Sequence, residues 1–223
     1  IKLGMEKPTL FNTYFDSLVE PINGILGFVE LLNQSTLSQE KKDYFTNQIK
    51  INAICLSQLI EDLHDLSKIE TGKFKISKST FPALEFLSDI VKMAEIERNK
   101  AYKKEIRILT KPDSKILQFN TDKYRIKQIL NKLIDNAIKN TFKGQIEIGY
   151  ELMEHEKQIR FFVKDTGVGI PNFIRQSVFN KSKTLPNIEN KQIGYSLAVC
   201  KSILGEMKGE IWIESTEGIG TSV

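Results

Sequence analysis

The fold is decided by the stretch Asp165-Thr166-Gly167-Val168-Gly169-Ile170-Pro171. It follows Ile159-Arg160-Phe161-Phe162-Val163-Lys164, an apolar-rich run that predicts a β-strand. A carboxylate at a strand end can accept a hydrogen bond from an exocyclic amine, and the two glycines let the backbone approach a flat ring closely. A strand, then D-x-G-x-G, then a short helix therefore predicts an adenine pocket, and a plain glycine-rich turn is the alternative.

The composition is that of an ordinary globular protein. The 223 residues fit one large or two modest domains, with 40% hydrophobic and 27% charged residues. The net charge of +4 comes from interspersed lysines and carboxylates, which does not indicate a nucleic-acid partner. Cys55 and Cys200 lie in apolar, helix-like contexts, so we expect two buried thiols in a reducing compartment. The sequence has no CxxC motif and no Cys/His cluster that would predict a thiolate metal site.

The ends of the sequence suggest part of a longer protein. The chain starts at Ile1 without a methionine and stops at Gly220–Val223, where a strand is predicted to begin. We find no signal peptide and no apolar run long enough to span a membrane. We therefore expect a cytoplasmic fragment with a truncated C-terminus, from a longer protein whose membrane anchor, if it has one, lies outside this sequence.

The first part of the chain has a heptad pattern that predicts two long helices packed at a shallow angle. Asn33 to Glu40 form a polar turn between them, Ser38 is the predicted N-cap of the second helix, and Thr71-Gly72 ends it. The apolar positions are Phe11, Phe15, Leu18, Ile22, Ile25, Val29 and Leu32 in the first helix, and Phe45, Ile49, Leu56, Leu59, Leu63 and Leu66 in the second.

A lone helical hairpin cannot cover its own apolar seam, whereas two hairpins can do so as a four-helix bundle. The sequence therefore predicts a homodimer. Asn52 occupies a seam position, where a polar residue either fixes the helix register or lies partly exposed near a helix bend.

After residue 72 the periodicity changes, and residues 73–223 are predicted to form an α/β sandwich with a mostly antiparallel sheet. The fold class is thus α+β, a hairpin of residues 1–72 followed by a sandwich. Asp122 is predicted to cap a helix that runs to about Thr141, and the polar stretch Asn180 to Lys191 is expected to be mobile. Further helices are predicted over Pro82–Lys100 and Gln192–Met207, and strands over Phe74–Ser77, Glu105–Thr110, Ile116–Asn120, Gln145–Leu152, Gln158–Lys164 and Glu210–Glu214.

The order of these motifs resembles the catalytic core of sensor histidine kinases over almost the whole chain. The resemblance implies a dimerisation hairpin followed by an ATP-binding domain of the wider GHKL group. The matching stretches are Pro21–Phe28 for the H-box helix, Leu63–Lys73 for the end of the hairpin, Asn136–Lys139 for the N-box, Asp165–Pro171 for the G1 box, Val178-Phe179 for the F-box, Gly194–Val199 for the G2 box and Gly218–Thr221 for the G3 box.

The resemblance implies a role for each matching residue. Asp165 would accept from the adenine amine, Gly167 and Gly169 would give the base room, and Thr221 would close the pocket. Asn136 would give an oxygen to Mg²⁺. The other matching residues are Lys139, which would offset phosphate charge or be a solvated lysine; Gly194, which would let backbone amides approach the phosphates; and Gly218 and Gly220, which would belong to the pocket or to a plain turn.

The sequence departs from the family where phosphotransfer takes place. The family's H-box begins His-Glu and continues to a proline, whereas this chain has Asp16-Ser17-Leu18-Val19-Glu20-Pro21. Asp16 stands at the phosphoacceptor histidine and Ser17 at the acidic residue that helps to take the proton. A carboxylate can accept phosphate but is a weaker nucleophile than neutral imidazole, and no neighbouring base is left. We therefore expect Asp16 to be inert.

The nucleotide site departs from the family as well. Lys132 replaces the first Asn of the N-box, and it would either pair with phosphate or be a surface residue. Ser182 replaces the second Phe of the F-box, and Ser196 replaces the second Gly of the G2 box, where its Cβ would weaken binding. His64 and His155 are interpreted as surface or satisfied histidines, without the partners of a metal site or a triad.

Two functions are consistent with these residues. One is a histidine-kinase-type core of a two-component system that binds ATP and Mg²⁺ and works with a response regulator or receiver domain. The other is an inactive pseudokinase, a dimeric nucleotide-sensing module that docks a response regulator or a partner kinase. A relative of the gyrase and mismatch-repair ATPases is a third possibility, but those proteins lack the leading hairpin.

Overall fold

The computed structural model describes residues 10–34, 36–153, 158–172 and 192–223, and only the backbone of residues 10–16 and 192–195. Four sequence predictions lie wholly or mostly outside this range. They are the mobile stretch Asn180 to Lys191, the F-box-like residues Val178-Phe179 with Ser182, the surface position of His155, and the short helix after Pro171.

The described residues form two compact units, divided between Phe74 and Lys75. The first contains helices α1 (Leu10–Leu32) and α2 (Gln39–Glu70). The elements of the second are β1 (Ser79–Pro82), α3 (Ala83–Lys100), β2 (Ile106–Lys111), β3 (Gln118–Thr121), α4 (Lys123–Asn140), β4 (Gly144–Met153), β5 (Gln158–Asp165), α5 (Gln192–Glu206), β6 (Glu214–Thr216) and β7 (Gly220–Ser222). None of the helices described is both long and apolar enough to cross a membrane.

The predicted ends of α2 are confirmed. Ser38 is the N-cap, and its Oγ accepts from the backbone N–H of Lys41 at 3.4 Å. Thr71 caps the other end, with its hydroxyl donating to the carbonyl of Ser67 at 2.8 Å. Gly72 follows with φ +64°, the left-handed conformation that ends many helices.

The helices α1 and α2 pack through one side of α1 that includes Pro21, Gly24 and Phe28. Pro21 is buried, and the Phe28 ring lies 5.8 Å from that of Phe45 in α2. A Cβ on Gly24 would lie 2.7 Å from Oδ1 of Asn52, so the Asn52 side chain approaches α1 closely at this glycine. Asn52 is therefore half-buried inside the hairpin, where its amide also donates to the carbonyl of Gln48 at 2.9 Å.

Another side of α1 is left uncovered. Val19, Ile22, Leu26 and Val29, spaced three, four and three residues apart, are all exposed, and Leu26 is 56% exposed. We call these four residues the α1 stripe. Their spacing places them on one side of α1, and α2 does not cover this apolar surface.

The second unit has its own core between a sheet and helices. Five strands have the order β2-β4-β5-β7-β6, with β2 and β4 parallel and the other pairs antiparallel, while β1 and β3 form a separate antiparallel pair. α4 packs against α3, α5 and β5. The predicted apolar side of α4 is confirmed as buried: Ile126, Ile129, Leu130, Leu133, Ile134, Ala137 and Ile138. The mixed α+β class and the mostly antiparallel sheet are as predicted.

Several predicted elements are confirmed with small shifts. Helices α3, α4 and α5 and the β4–β5 hairpin lie where they were expected, and Asp122 caps α4 by accepting from the N–H of Arg125 at 3.1 Å. β2 and β3 are displaced by one or two residues. Cys200 is buried as predicted, but Cys55 is only half-buried.

Two strand predictions were wrong. Phe74–Ser77 forms no strand, because the N–H of Ser77 donates to the Asp122 carboxylate at 2.8 Å, and pairing with β3 starts only at Ser79. The strand expected over Glu210–Glu214 starts at its last residue. Its partner β7 pairs Ser222 with Glu214, so only Val223, the last residue of the given sequence, can lie opposite the residues that precede β6.

Candidate functional site

The loop that follows β5 lies between the end of α4 and the turn that joins β6 to β7. The N–H of Val168 donates to the carbonyl of Asn140 at 3.1 Å, at the end of α4. On the other side, the N–H of Gly218 donates to the carbonyl of Val168 at 2.8 Å. These backbone bonds fix the loop from both sides and set the position of Asp165 at its start.

Asp165 is a buried carboxylate, only 7% exposed. It accepts hydrogen bonds from the backbone N–H groups of Gly167, at 2.8 Å, and of Thr221. Burial raises the pKa of the Asp165 carboxyl above its ordinary value, and the two backbone bonds lower it by less. A carboxylate accepts about four hydrogen bonds, so Asp165 has lone pairs left for a ligand donor.

Three glycines are required by close backbone contacts around this carboxylate. A Cβ on Gly167 would collide with the carbonyl oxygen of Asn140, and one on Gly220 with that of Asp165. Gly169 has φ +67° and abuts the carbonyl of Thr216. Gly218 differs, because its φ of +75° favours glycine but the space beside it is open, as in a plain turn.

Ser215 connects the two sides of the loop, and sequence reasoning missed it. Its buried Oγ accepts from the N–H of Ile170 at 2.8 Å and donates to the carbonyl of Gly220 at 3.0 Å. It also lies 2.9 Å from Oγ1 of Thr221. Since the only proton on Ser215 Oγ goes to Gly220, the hydroxyl of Thr221 is the donor in that pair. A serine in a short strand gives no sequence signal for such a position.

The end of α4 is held by residues that were also missed. Nζ of Lys103 donates to the carbonyls of Ile138, Lys139 and Thr141 at 2.5–3.0 Å, which satisfies groups that a helix end leaves without partners. Burial lowers the pKa of the Lys103 ammonium. Thr166 Oγ1 accepts from the N–H of Gln145 at 3.0 Å and ties the loop to β4.

Lys132, Asn136 and Lys139 lie on one side of α4, since they are spaced four and three residues apart. Nδ2 of Asn136 is buried without a hydrogen-bond partner, which is rare for an amide and marks a place where a ligand group can bind. Lys132 is half-buried and Lys139 is exposed. This side of α4 leads to Asn140, which bonds to the Asp165 loop.

Three predicted positions are less closely connected to this cluster. Gly194 lies in the first turn of α5, and Ser196 is half-buried in the same helix. Asp16 belongs to α1, in the other unit, and only its backbone is described. His64 is exposed on α2, as its interpretation as a surface histidine required.

A metal ion has few protein ligands here. Among the residues that the structure describes, no group of three or more His, Cys, Asp or Glu side chains could hold one. Asn136 offers a neutral amide oxygen once the amide is turned, which suits a hard cation held mostly by other ligands. The residues therefore fit a Mg²⁺ ion only if phosphate oxygens supply most of its coordination shell.

Comparison with protein families finds matches to two adjacent domains. Residues 18–72 match the family described as "His Kinase A (phospho-acceptor) domain". Residues 121–223 match "Histidine kinase-, DNA gyrase B-, and HSP90-like ATPase". The first match lies in the α1–α2 hairpin, and the second contains α4, the Asp165 loop and the β6–β7 turn.

Curated proteins and solved structures show the same similarity. The sensor histidine kinase GacS of Pseudomonas protegens is 33% identical over 90% of this chain, and the hybrid signal transduction histidine kinase B of Dictyostelium discoideum is 31% identical over 97%. The chain spans only 22% and 11% of their lengths. The histidine kinase AdeS of Acinetobacter baumannii has a similar fold, with a TM-score of 0.68 and 22% identity over 92% of this chain and 94% of that one.

Proposed function

Because the chain belongs to the sensor histidine kinase family, we propose that it is the ATP-binding core of a two-component signalling protein that does not autophosphorylate at residue 16. The proposed domain limits are the ones predicted from the sequence. They are a helical hairpin of residues 1–72 and an ATP-binding domain of residues 73–223. We place this part of the parent protein in the cytoplasm; none of the helices that the structure describes could cross a membrane.

The main support for nucleotide binding is the buried Asp165 carboxylate at the end of β5. Two backbone N–H groups orient it, and its remaining lone pairs are available to an adenine amine. Gly167 and Gly169 let the loop pack directly against the carbonyls of Asn140 and Thr216, which fixes the backbone beside Asp165. Thr221 and Ser215 support the loop from the other side. On α4, Asn136 would give an oxygen to the Mg²⁺ that a nucleotide carries, and Mg²⁺ would neutralise phosphate charge. Lys139, Gly194, Gly218 and Gly220 complete the proposed site.

Nucleotide binding can be tested with Asp165→Asn. An amide would present its own donor to the adenine amine or lose one backbone bond, and a hydrogen bond to a charged group is worth about 1.5–3 kcal/mol, or roughly 10- to 100-fold in affinity. We expect ATP to raise the melting temperature of the parent chain and not that of the variant, followed by the fluorescence of Trp212, the single tryptophan, which lies in the second unit.

The matched control is Asp89→Asn on the surface of α3, which removes the same charge away from the loop. It should bind ATP like the parent chain. If the parent and Asp165→Asn bind ATP equally well, Asp165 does not recognise adenine. If the parent does not bind ATP at all, the proposal of nucleotide binding is wrong.

The residues around Asp16 support the pseudokinase alternative. By the resemblance, Asp16, Ser17 and Glu20 stand where the family has its reactive side chains, while the seam residues Leu18 and Ile22 remain apolar. In this proposal the chain binds nucleotide and docks a response regulator or partner kinase without phosphotransfer through residue 16. Incubation with labelled ATP should give no labelled phosphoprotein. Labelling that is lost in Asp16→Ala would contradict the pseudokinase and support an active kinase.

The hairpin is proposed to form a homodimer. The α1 stripe gives four exposed apolar side chains at heptad-like spacing, the pattern that a four-helix bundle covers. The match to a phospho-acceptor domain supports the same arrangement.

A further inference from the structure

The side of α4 that holds Asn136 is positively charged. Lys132 lies four residues before Asn136 and Lys139 three residues after it, so their Cβ atoms are neighbours at roughly 5–6 Å. A single neutral amide is thus flanked by two ammonium groups. The carboxylate of Asp135 is also a helix neighbour of both lysines, three residues after Lys132 and four before Lys139, and it interacts with both as well as with Glu97 and Lys100 of α3.

This side of α4 reaches the loop that would hold the base. Asn140, one residue after Lys139, accepts from the N–H of Val168, and α4 packs against β5, which ends at Asp165. Phosphates attached to a base at Asp165 would extend along the elements next to the loop. The unpartnered buried amide of Asn136 marks α4 as one of them.

Beside Asn136, either a divalent cation or a lysine can neutralise the negative charge of a phosphate. Mg²⁺ prefers oxygen ligands, usually including a carboxylate, and two nearby ammonium groups oppose a further dication. A phosphate, by contrast, is attracted by both lysines. The described residues offer Mg²⁺ no acidic cluster there.

From these observations we propose that Lys132 supplies part of the counter-charge that Mg²⁺ would otherwise give to the phosphates, so that nucleotide affinity depends little on Mg²⁺. The inference rests on the proposed nucleotide site and adds how its phosphates are neutralised. Lys132 acts directly on phosphate, and Lys139 assists from the next turn of the helix. Asp135 opposes both, because its carboxylate attracts the same ammonium groups.

The test is nucleotide binding by calorimetry, with ADP and with ATP, in excess Mg²⁺ and in EDTA. We expect the affinity of the parent chain to differ by less than about threefold between the two conditions, which is under 0.7 kcal/mol. In Lys132→Asn, affinity in EDTA should fall by about tenfold or more, since one charge-assisted hydrogen bond to phosphate is lost. Mg²⁺ should recover much of that loss, because it can take the place of the missing charge beside two amides.

The matched control is Lys127→Asn, on the same helix. Lys127 is nine residues before Asn136, which places it on the opposite side of α4. It removes the same charge and should leave both affinities unchanged. Trp212 fluorescence melts would show that all variants keep the folded second unit.

The outcomes separate the inference from the proposed function. If the parent binds nucleotide only with Mg²⁺, or if Lys132→Asn behaves like the parent in EDTA, the inference is overturned and the nucleotide site stands. If Lys127→Asn weakens binding as much as Lys132→Asn, the effect is one of net charge and the inference again fails. Absence of binding in every condition would overturn both.

Discussion

The α1–α2 hairpin and the second unit, which contains the sheet and is called the sheet unit below, bury their apolar side chains to different extents. The sheet unit encloses its own core, with side chains such as Phe119, Tyr150 and Ile146 almost fully buried. The hairpin leaves the α1 stripe exposed. The sheet unit therefore has a core of its own within the chain, and the exposed stripe is the reason for proposing that a second hairpin covers α1.

The two units also differ in what carries the proposed chemistry. In the hairpin the proposed phosphoacceptor position is a single side chain, so a change such as the one proposed at Asp16 can leave helix α1 in place. In the sheet unit the proposed chemistry lies in backbone contacts, because Gly167, Gly169 and Gly220 touch carbonyl groups that cannot move freely. Substitutions at the glycines of the sheet unit should therefore cost folding stability, whereas substitutions in the hairpin should leave its fold largely intact. Four predictions test this difference.

The largest effect is expected at Gly220. A Cβ there would collide with the carbonyl of Asp165, and its φ of +141° strains any other residue. Overpacking costs about 1–3 kcal/mol and such a backbone conformation about 1–3 kcal/mol more, so Gly220→Ala should destabilise the sheet unit by about 4 kcal/mol. Denaturant unfolding followed by Trp212 fluorescence would measure this.

Gly218→Ala is the internal control for that substitution. It has a positive φ in open space, so only about 1 kcal/mol of backbone strain is expected. Similar losses in the two variants would show that the contact with Asp165 does not matter.

The next effect concerns the α1 stripe. Leu26→Glu would place a charge in the proposed dimer interface, and loss of an interface anchor costs about 2 kcal/mol, or roughly 30-fold in the dimer dissociation constant. Light scattering over a concentration series should show the change, while the Trp212 melt stays as in the parent. Leu84→Glu, at another exposed leucine but in the sheet unit, should leave the mass unchanged. A parent chain that is monomeric at micromolar concentration would refute the dimer.

A smaller effect is expected from the titration of Asp165. Because burial raises the pKa of this carboxyl in the folded chain, the folded state holds a proton that the unfolded chain has already released. Stability therefore falls as the pH rises from the ordinary to the raised pKa, and the full cost is present above it.

Asp165→Asn cannot ionise, so it should lack the pH dependence that this carboxyl gives the parent, while binding ATP poorly. The melting temperature of the parent should therefore fall relative to that of the variant as the pH rises through the raised pKa. Melting curves across this range would check the sign, and parallel pH profiles for the two proteins would contradict the assignment.

The smallest effect is expected at Gly24, the hairpin counterpart of Gly220. Alanine in a helix is worth about 1 kcal/mol over glycine, but the new Cβ would lie 2.7 Å from Oδ1 of Asn52. Because that atom belongs to a side chain that can move, the net change should stay within about 0.5 kcal/mol. In an Asn52→Ala background the same substitution should stabilise by about 1 kcal/mol, which thermal melts by circular dichroism would show.

The sequence predicted most of the fold from local patterns. The heptads, the caps Ser38 and Asp122, and the apolar side of α4 are set by periodicity and by hydrogen bonds within a few residues, so they were readable in advance. The strand predictions failed at Phe74–Ser77 and Glu210–Ile213, because pairing depends on where a partner strand begins and ends.

The candidate site was readable only in part, for the same reason. Asp165 and its glycines form one continuous motif, so the strand, the loop and its carboxylate could be predicted from neighbouring residues alone. The residues that support the loop could be identified only from the packing of distant elements. Ser215 bonds to Ile170, 45 residues away, and Lys103 bonds to Ile138, 35 residues away. Such distant pairs depend on how helices and strands pack, and no local propensity specifies that packing.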